Sequence, residues 1–142
     1  MDSSANEEVV DVEPDNGQAG LDGSAGDMTI TENGLAVRRR RSGNSVHLQL
    51  DGELDTYSSH LLERWMLRDE QDGCAELVLD LNGLSFVDSS GLRTLIEAAK
   101  RAGAGAWRLS VVNVRGMVRK IFDITDMDSL LDYCQRQVST RS

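Results

Sequence analysis

The segment with the clearest chemical potential is Asp88-Ser89-Ser90-Gly91, which follows the stretch Leu84-Ser85-Phe86-Val87. We expect Ser89 or Ser90 to be the N-cap of the next helix, because a serine oxygen can accept a free backbone N–H of the first turn. The same loop lies past the carboxyl end of a predicted central strand, where α/β domains place their ligand sites. Two hydroxyls at an exposed helix start could also accept a phosphoryl group. Local chemistry therefore leaves two interpretations open, a structural helix cap and a modification site.

Catalysis by the chain itself would need further groups that the sequence does not supply. A Ser89 nucleophile requires a general base, and the only histidines are His47, which alternates outward on a predicted strand, and His60 on a predicted helix. There is no Gly-x-Ser-x-Gly elbow and no phosphate-cradling Gly-x-x-x-x-Gly-Lys, so ATP is expected to belong to a partner. An aspartyl-phosphate receiver at Asp88 would lack its usual acidic pair and lysine. We therefore predict a protein that is not an enzyme and has no cofactor.

The two cysteines, Cys74 and Cys134, do not form a metal-site pattern with the two histidines. They show neither CxxC spacing nor the density of a disulfide framework, which indicates a reducing, cytoplasmic setting. Their separation of 60 residues leaves two interpretations. They are unrelated reduced thiols, or they meet in the fold and act as a redox switch.

Charge is distributed unevenly along the 142 residues, which contain 24 Asp plus Glu and 15 Lys plus Arg. Residues 1–34 hold nine of the acids and no base, so residues 35–142 balance 15 acids against 15 bases. Residues 1–33 also lack aromatic side chains and sustained periodicity, which predicts a disordered acidic tail. The remaining residues, 34–142, have the size of one small domain with one core.

These proportions argue against several classes of partner. A net-neutral domain behind an acidic tail is not typical of a nucleic-acid-binding protein, which needs a basic face. No run approaches the roughly 18 apolar residues of a membrane helix, and the acidic residues 1–12 do not form a secretory signal. Arg38 to Arg41, just after the tail, are expected in an exposed edge strand or loop. Electrostatic contact between these arginines and the tail stays open, subject to screening by salt.

The hydrophobic pattern predicts the elements that would position the serine loop. Val46, Leu48 and Leu50 alternate with polar residues, as in a strand with one buried face, and residues 35–40 are expected to pair with it across Ser42-Gly43-Asn44. The other predicted elements are a helix over 57–69, a strand over 77–81 covered on both faces, a helix over 90–102, a strand over 107–112, a helix over 115–124 and a short strand over 130–133. This order favours an α/β domain in which a mixed β-sheet packs against α-helices.

Four sequence fragments carry a resemblance to a known family. They are Leu50-Asp51-Gly52-Glu53-Leu54-Asp55, Leu77-Val78-Leu79-Asp80-Leu81, Leu84-Ser85-Phe86-Val87-Asp88-Ser89-Ser90-Gly91-Leu92 and Val118-Arg119-Lys120-Ile121-Phe122-Asp123. Over about residues 34–134 the chain resembles the STAS domain of bacterial anti-sigma factor antagonists, the anti-anti-sigma factors of sporulation and general stress control. The four fragments occur in the order and at the separations typical of that family.

The resemblance implies that Ser89 is the phosphoacceptor, and that Ser90 and Gly91 shape the loop and open the helix. It implies that Asp55 lies beside Ser89 on the partner-binding surface and that Asp88 borders this surface. In such proteins the unphosphorylated form binds an anti-sigma factor, often itself an ATP-dependent serine kinase, and the sigma factor is released. A separate metal-dependent serine/threonine phosphatase resets the phosphorylated form. The alternative implied by the fold is a STAS adaptor of a signalling or transport assembly that phosphorylation does not control.

The chain also departs from the pattern of this family. Ten residues remain after Asp132, so the closing helix of the fold is expected to be truncated or absent. The helix over 57–69 is expected to be short. The acidic N-terminal extension is longer than the family core requires.

Overall fold

The computed structural model describes residues 28–105 and 107–141, with side-chain environments up to residue 136. The strands are β1 (Met28–Glu32), β2 (Leu35–Ser42), β3 (Ser45–Leu54), β4 (Glu76–Val87) and β5 (Arg108–Val112). The helices are α1 (Ser59–Gln71), α2 (Ser89–Ala104), α3 (Gly116–Thr125) and α4 (Met127–Arg141). These elements confirm the α/β fold class.

The five described strands form one mixed sheet in the order β1-β2-β3-β4-β5. The first three strands are antiparallel neighbours, and the predicted hairpin is confirmed, with Ser42 opposite Ser45 and Gly43 in the left-handed region at φ 61°. β3, β4 and β5 are parallel neighbours. Because parallel strands end at the same edge of a sheet, the loops that follow β3, β4 and β5 all leave from one edge.

One hydrophobic core explains the alternation along the strands. Val37 of β2 and Leu48 of β3 are buried, whereas their neighbours Arg38 and His47 are exposed. In β4, Leu77, Val78 and Leu79 are all buried, as predicted for a strand covered on both faces. Each helix contributes one stripe of apolar side chains to the same core. These side chains include Leu61, Leu62, Trp65, Met66, Leu95, Ala98, Ala99, Val118 and Phe122.

Two boundaries differ from the prediction. Met28–Glu32 form β1, which pairs with β2. Met28 lies opposite Arg39, and Glu32 lies opposite Leu35. The disordered tail predicted over residues 1–33 therefore extends too far. Residues 1–27 of that predicted tail lie outside the described residues. The helix predicted over 57–69 begins and ends two residues later. Its first turn is instead preceded by a loop that belongs to the candidate site.

The end of the fold corrects two further predictions. The short strand predicted over 130–133 is wrong, and so is the truncated or absent closing helix, because both regions belong to the 15-residue α4. Met127, Leu131 and Cys134 recur at helical spacing and are buried against the core. Asp126 has a positive φ of 56°, which ends α3 and lets α4 start at the next residue.

Candidate functional site

The candidate site lies where β3 and β4 end side by side. Their parallel pairing continues to Leu54 opposite Val87, the last residue of each strand. The Asp88 N–H donates to the Leu54 carbonyl at 3.1 Å, so the two following loops start in contact. This arrangement brings residues 55–58 against residues 88–91, although 33 positions separate Leu54 from Val87 in the chain.

Asp88 holds this junction together with both carboxylate oxygens. Its Oδ1 accepts the backbone N–H groups of Ser90 at 2.9 Å and Gly91 at 3.1 Å, which makes Asp88 the N-cap of α2. Its Oδ2 accepts the backbone N–H of Thr56 at 3.2 Å and faces the Thr56 hydroxyl at 3.4 Å. The expectation that Ser89 or Ser90 is the N-cap is therefore wrong. An aspartate caps as well as a serine, and its second oxygen also reaches the β3 loop.

The two serines differ in ways that matter for modification. The Ser90 hydroxyl lies 3.0 Å from the Thr56 Oγ1, and Ser90 is half-buried. Ser89 is the first residue of α2 and is exposed. Within the described part of the chain its hydroxyl has no hydrogen-bond partner. Ser89 therefore presents the accessible hydroxyl at this helix start, whereas Ser90 is engaged in the contact between the loops.

Gly91 is buried where α2 approaches the two strands most closely. A Cβ at this position would lie 2.7 Å from Val87 Cγ2, 2.8 Å from the Leu54 carbonyl oxygen and 2.9 Å from Leu54 Cγ. Distances below 3.0 Å are too short for carbon contacts, so only glycine fits without a shift of the backbone. The absence of a side chain at Gly91 therefore lets the start of α2 pack directly on Leu54 and Val87.

Asp55 organises the neighbouring loop rather than touching the serines directly. Its Oδ1 accepts the backbone N–H groups of Tyr57 at 3.0 Å and Ser58 at 3.1 Å. The buried Ser58 hydroxyl lies 2.7 Å from the Glu53 carbonyl, which closes the turn before α1. The residue that contacts Asp88 and Ser90 is Thr56, which the sequence analysis missed. Only the parallel register of β3 and β4 could have revealed it.

Two exposed aromatic side chains flank these loops. Tyr57 is 74% exposed and Phe86, two residues before Asp88, is 41% exposed. Aromatic residues are enriched in protein–protein interfaces because they bury a large area at a small entropic cost. An exposed serine at the start of α2, together with exposed aromatic side chains on the adjoining segments, suits contact with a macromolecular partner.

A sequence profile of the STAS domain matches residues 36–140. The chain belongs to the STAS domain family. The matched range includes every residue of the candidate site, and it continues into α4 as far as residue 140, although the sequence predicts a truncated or absent closing helix.

Curated relatives of this STAS domain are named anti-sigma-B factor antagonists. That of Staphylococcus aureus (strain NCTC 8325 / PS 47) is 27% identical over 97 residues, which cover 68% of this chain and 90% of that protein. That of Bacillus subtilis (strain 168) is 26% identical over 98 residues, 69% of this chain and 89% of that protein. The crystal structure of an anti-sigma factor antagonist from Mycobacterium paratuberculosis has the same fold, with a TM-score of 0.59 and 21% identity over 74% of this chain and 94% of that one. The predicted resemblance is confirmed.

The other residues considered for chemistry lie apart from this loop. His47 and His60 are exposed, and no hydrogen bond among the described residues joins either to Ser89. Cys74 and Cys134 are buried free thiols. Burial, and then the charges of Asp69 and Glu70, raise the pKa of the Cys74 thiol. A raised pKa keeps the thiol protonated and unreactive, which opposes the proposed redox switch.

Residues 28–105 and 107–141 contain no cluster of His, Cys, Asp or Glu suited to hold a metal ion. None of the helices in this part of the chain is both long and apolar enough to cross a membrane.

Asp88→Ala should lower the free energy of unfolding by about 1–2 kcal/mol, because it removes the N-cap acceptor of α2. Asp88→Asn keeps a side-chain oxygen at the cap, so it should retain most of that stability. Urea unfolding of the two variants and the wild type measures the difference. Equal losses in both variants would show that the second carboxylate oxygen, which accepts the Thr56 N–H, stabilises this loop more than the cap does.

Proposed function

We propose that this STAS domain is an anti-sigma factor antagonist that phosphorylation of Ser89 switches off. In the unphosphorylated form it binds an anti-sigma factor through the surface around Ser89, including Asp55, Asp88 and Ser90, and the sigma factor is released to direct transcription. The observation that carries the proposal is the exposed Ser89 at the first position of α2, whose hydroxyl has no hydrogen-bond partner among the residues that the structure describes. The names of the curated relatives support the same role.

The position of Ser89 gives a physical reason for a switch that leaves the fold intact. A phosphoserine carries about −1.5 to −2 charges. The free N–H groups and dipole of a helix N-terminus stabilise a negative group there. The surface already contains the carboxylates of Asp55 and Asp88, so the phosphate adds like charge and bulk to the contact area. Binding is lost because the surface changes.

The proposed partners follow from this role. The anti-sigma factor is also the serine kinase and brings the ATP, and a metal-dependent serine/threonine phosphatase restores the free hydroxyl. All of these encounters take place in the cytoplasm, without direct contact between the STAS domain and nucleic acid or a membrane.

A phosphorylation assay with two matched serine variants tests this proposal. The full chain, Ser89→Ala and Ser90→Ala are incubated with labelled ATP, each with and without the anti-sigma kinase captured from the source cell by the unphosphorylated full chain. We expect the kinase to label the wild type and Ser90→Ala, and not Ser89→Ala, with no labelling of any chain alone.

The outcomes of that assay separate the competing functions. Label in Ser89→Ala would overturn the assignment of the acceptor. Label without any kinase would indicate an enzyme. Capture of an assembly that contains no serine kinase would favour the STAS adaptor of a signalling or transport complex.

A further inference from the structure

The outward face of the β2–β3 hairpin carries a compact group of basic side chains. Arg38 and Arg40 are exposed on β2, on the face opposite to the buried Val37. Exposed His47 of β3 lies directly opposite Arg40 in the antiparallel register. Directly opposite residues of antiparallel strands share a face, so these three side chains form one patch, which we call the arginine strip.

Arg39 and Arg41 of the same run point the other way. The Arg39 guanidinium is bound to Asp69 of α1, with Nη2 to Oδ1 at 2.8 Å. The Arg41 Nε donates to the Gly43 carbonyl at 3.2 Å. Strand alternation therefore places Arg38 and Arg40 on the exposed face of β2, and Arg39 and Arg41 on the face that carries Val37.

The N-terminal segment has the complementary charge. Residues 1–27 contain eight acids, Asp2, Glu7, Glu8, Asp11, Glu13, Asp15, Asp22 and Asp27, and no Lys or Arg. Residues 28–142 are nearly neutral, with 16 acids and 15 bases. A segment with this negative charge is attracted electrostatically to a local basic patch. The neutral remainder of the domain offers no comparable attraction.

The segment also enters the fold beside the arginine strip. Met28, the first residue of β1, lies opposite Arg39, and Thr29 lies opposite Arg38. Asp27 is the residue that immediately precedes Met28, so the acidic segment adjoins the strand that pairs with Arg38. The 26 residues before Asp27 span up to about 90 Å when extended, so chain length does not limit their reach.

We propose that the acidic segment 1–27 of this chain docks on the arginine strip of Arg38, Arg40 and His47. Attraction between the carboxylates of this segment and the arginine strip holds the segment there as a salt-sensitive association. The strip lies toward the Ser42–Ser45 end of the hairpin, whereas Ser89 lies at the edge where β2 begins. Five residues of strand, about 17 Å, separate Arg40 from Leu35 at that edge. The arginine strip and the Ser89 surface are therefore separate parts of the domain.

Paramagnetic broadening in the full chain tests the proposal without any kinase or partner, so its result is independent of the proposed function. Ser4→Cys carries a nitroxide, and the native thiols of Cys74 and Cys134 are buried at 4% and 8% exposure. A freely moving chain of about 25 residues has a root-mean-square span of about 25–30 Å. A segment without a preferred site would therefore also cause some broadening. The measured quantity is how the broadening is distributed over the amides of the domain.

At low ionic strength we expect the strongest broadening at the amides of residues 38–40 and 47–49, and weak broadening on α3. This pattern should be lost in Arg38→Gln/Arg40→Gln and retained in Lys100→Gln/Lys120→Gln, which removes the same charge from exposed helix positions. It should also fade in the unchanged chain as salt shortens the Debye length from about 30 Å at 0.01 M to about 3 Å at 1 M.

Three results would overturn the docking proposal. Even broadening around the domain would show that the segment has no preferred site. A maximum on another basic patch would place the segment elsewhere. A strip-centred pattern that persists in Arg38→Gln/Arg40→Gln and in high salt would show that these charges do not hold the segment. The salt titration decides the question even if the double variant fails to fold.

Discussion

Ser89→Glu should weaken binding to the anti-sigma factor by about 100-fold, which corresponds to about 2.8 kcal/mol. Like charges brought together in an interface cost several kcal/mol. The new carboxylate would stand on the exposed first residue of α2, next to the carboxylate of Asp88. Isothermal titration of the partner with each variant measures the change in affinity.

The same substitution should leave the fold nearly unaffected. Ser89 is exposed and makes no described contact that glutamate would break. A negative side chain in the first turn of a helix is favourable by about 0.3–1 kcal/mol. Arg93 is exposed one helical turn further along α2 and offers an opposite charge at i+4. The urea midpoint of Ser89→Glu should therefore equal or slightly exceed that of the wild type.

Ser89→Gln is the matched control, because it adds similar bulk at the same position without charge. We expect it to bind the partner more tightly than Ser89→Glu. Equal weakening by Gln and Glu would assign the effect to bulk alone. Wild-type affinity in Ser89→Glu would refute the proposed switch.

The sequence was most informative where a repeating pattern reports a repeating contact. Alternation in residues 46–50 predicts β3 because one face of that strand is buried. The 3.6-residue period of Leu92, Leu95, Ile96 and Ala99 predicts α2 because one side of that helix packs on the core. The predicted turn at Gly43 connects the two strands of the hairpin, β2 and β3. From these local signals the mixed sheet and its helices follow.

The errors arose where tertiary context overrides a weak local signal. Residues 130–133 are too few to distinguish a strand from a helix, and only Met127 and Cys134 on either side reveal the period of the buried face. β1 is largely exposed, and the alternation of Met28 and Ile30 with threonines is too short to predict a strand. Its place in the sheet comes from backbone hydrogen bonding with β2, which side-chain types do not encode.

The candidate site was predictable in its chemistry and not in its contacts. The motif around Asp88 and Ser89 locates a helix start after a central strand, and the structure confirms that position. Which side chain caps the helix depends on the distance to the free N–H groups. Thr56 contacts Asp88 and Ser90 because of the register between β3 and β4. These two strands are not consecutive in a local sequence pattern, so such a pattern does not reveal the contact.

Arg39 shows the same limitation in the core. The run Arg38 to Arg41 predicts exposed side chains, but the Arg39 side chain is only 13% exposed. Its Nε and Nη2 donate to the Asp69 carboxylate, at 3.0 Å and 2.8 Å from Oδ1. Asp69 itself is 1% exposed, in the last turns of α1. This ion pair fastens α1 to β2 from positions 30 residues apart, which a local pattern cannot indicate.

Asp69→Asn should lower the free energy of unfolding by about 3–5 kcal/mol, the cost of removing one partner from a buried ion pair. The amide is nearly the same size as the carboxylate, so the loss reports the removed charge of Asp69 and the weakened hydrogen bonds from Arg39. Urea unfolding, followed by the fluorescence of Trp65 and Trp107, measures it. If the loss stays below about 1 kcal/mol, the Arg39–Asp69 pair does not fasten α1 to the sheet.

Two matched variants show whether burial is the cause of that loss. Glu32→Gln breaks an exposed ion pair, in which the Arg64 side chain is 62% exposed and the Glu32 side chain is 44% exposed. This change should lower the free energy of unfolding by at most about 1 kcal/mol. Arg39→Met/Asp69→Leu removes both buried charges together and should recover most of the stability lost in Asp69→Asn, because no charge is then left unpaired. A double variant as unstable as Asp69→Asn would mean that the shape of the pair, and not its charge balance, holds α1 against β2.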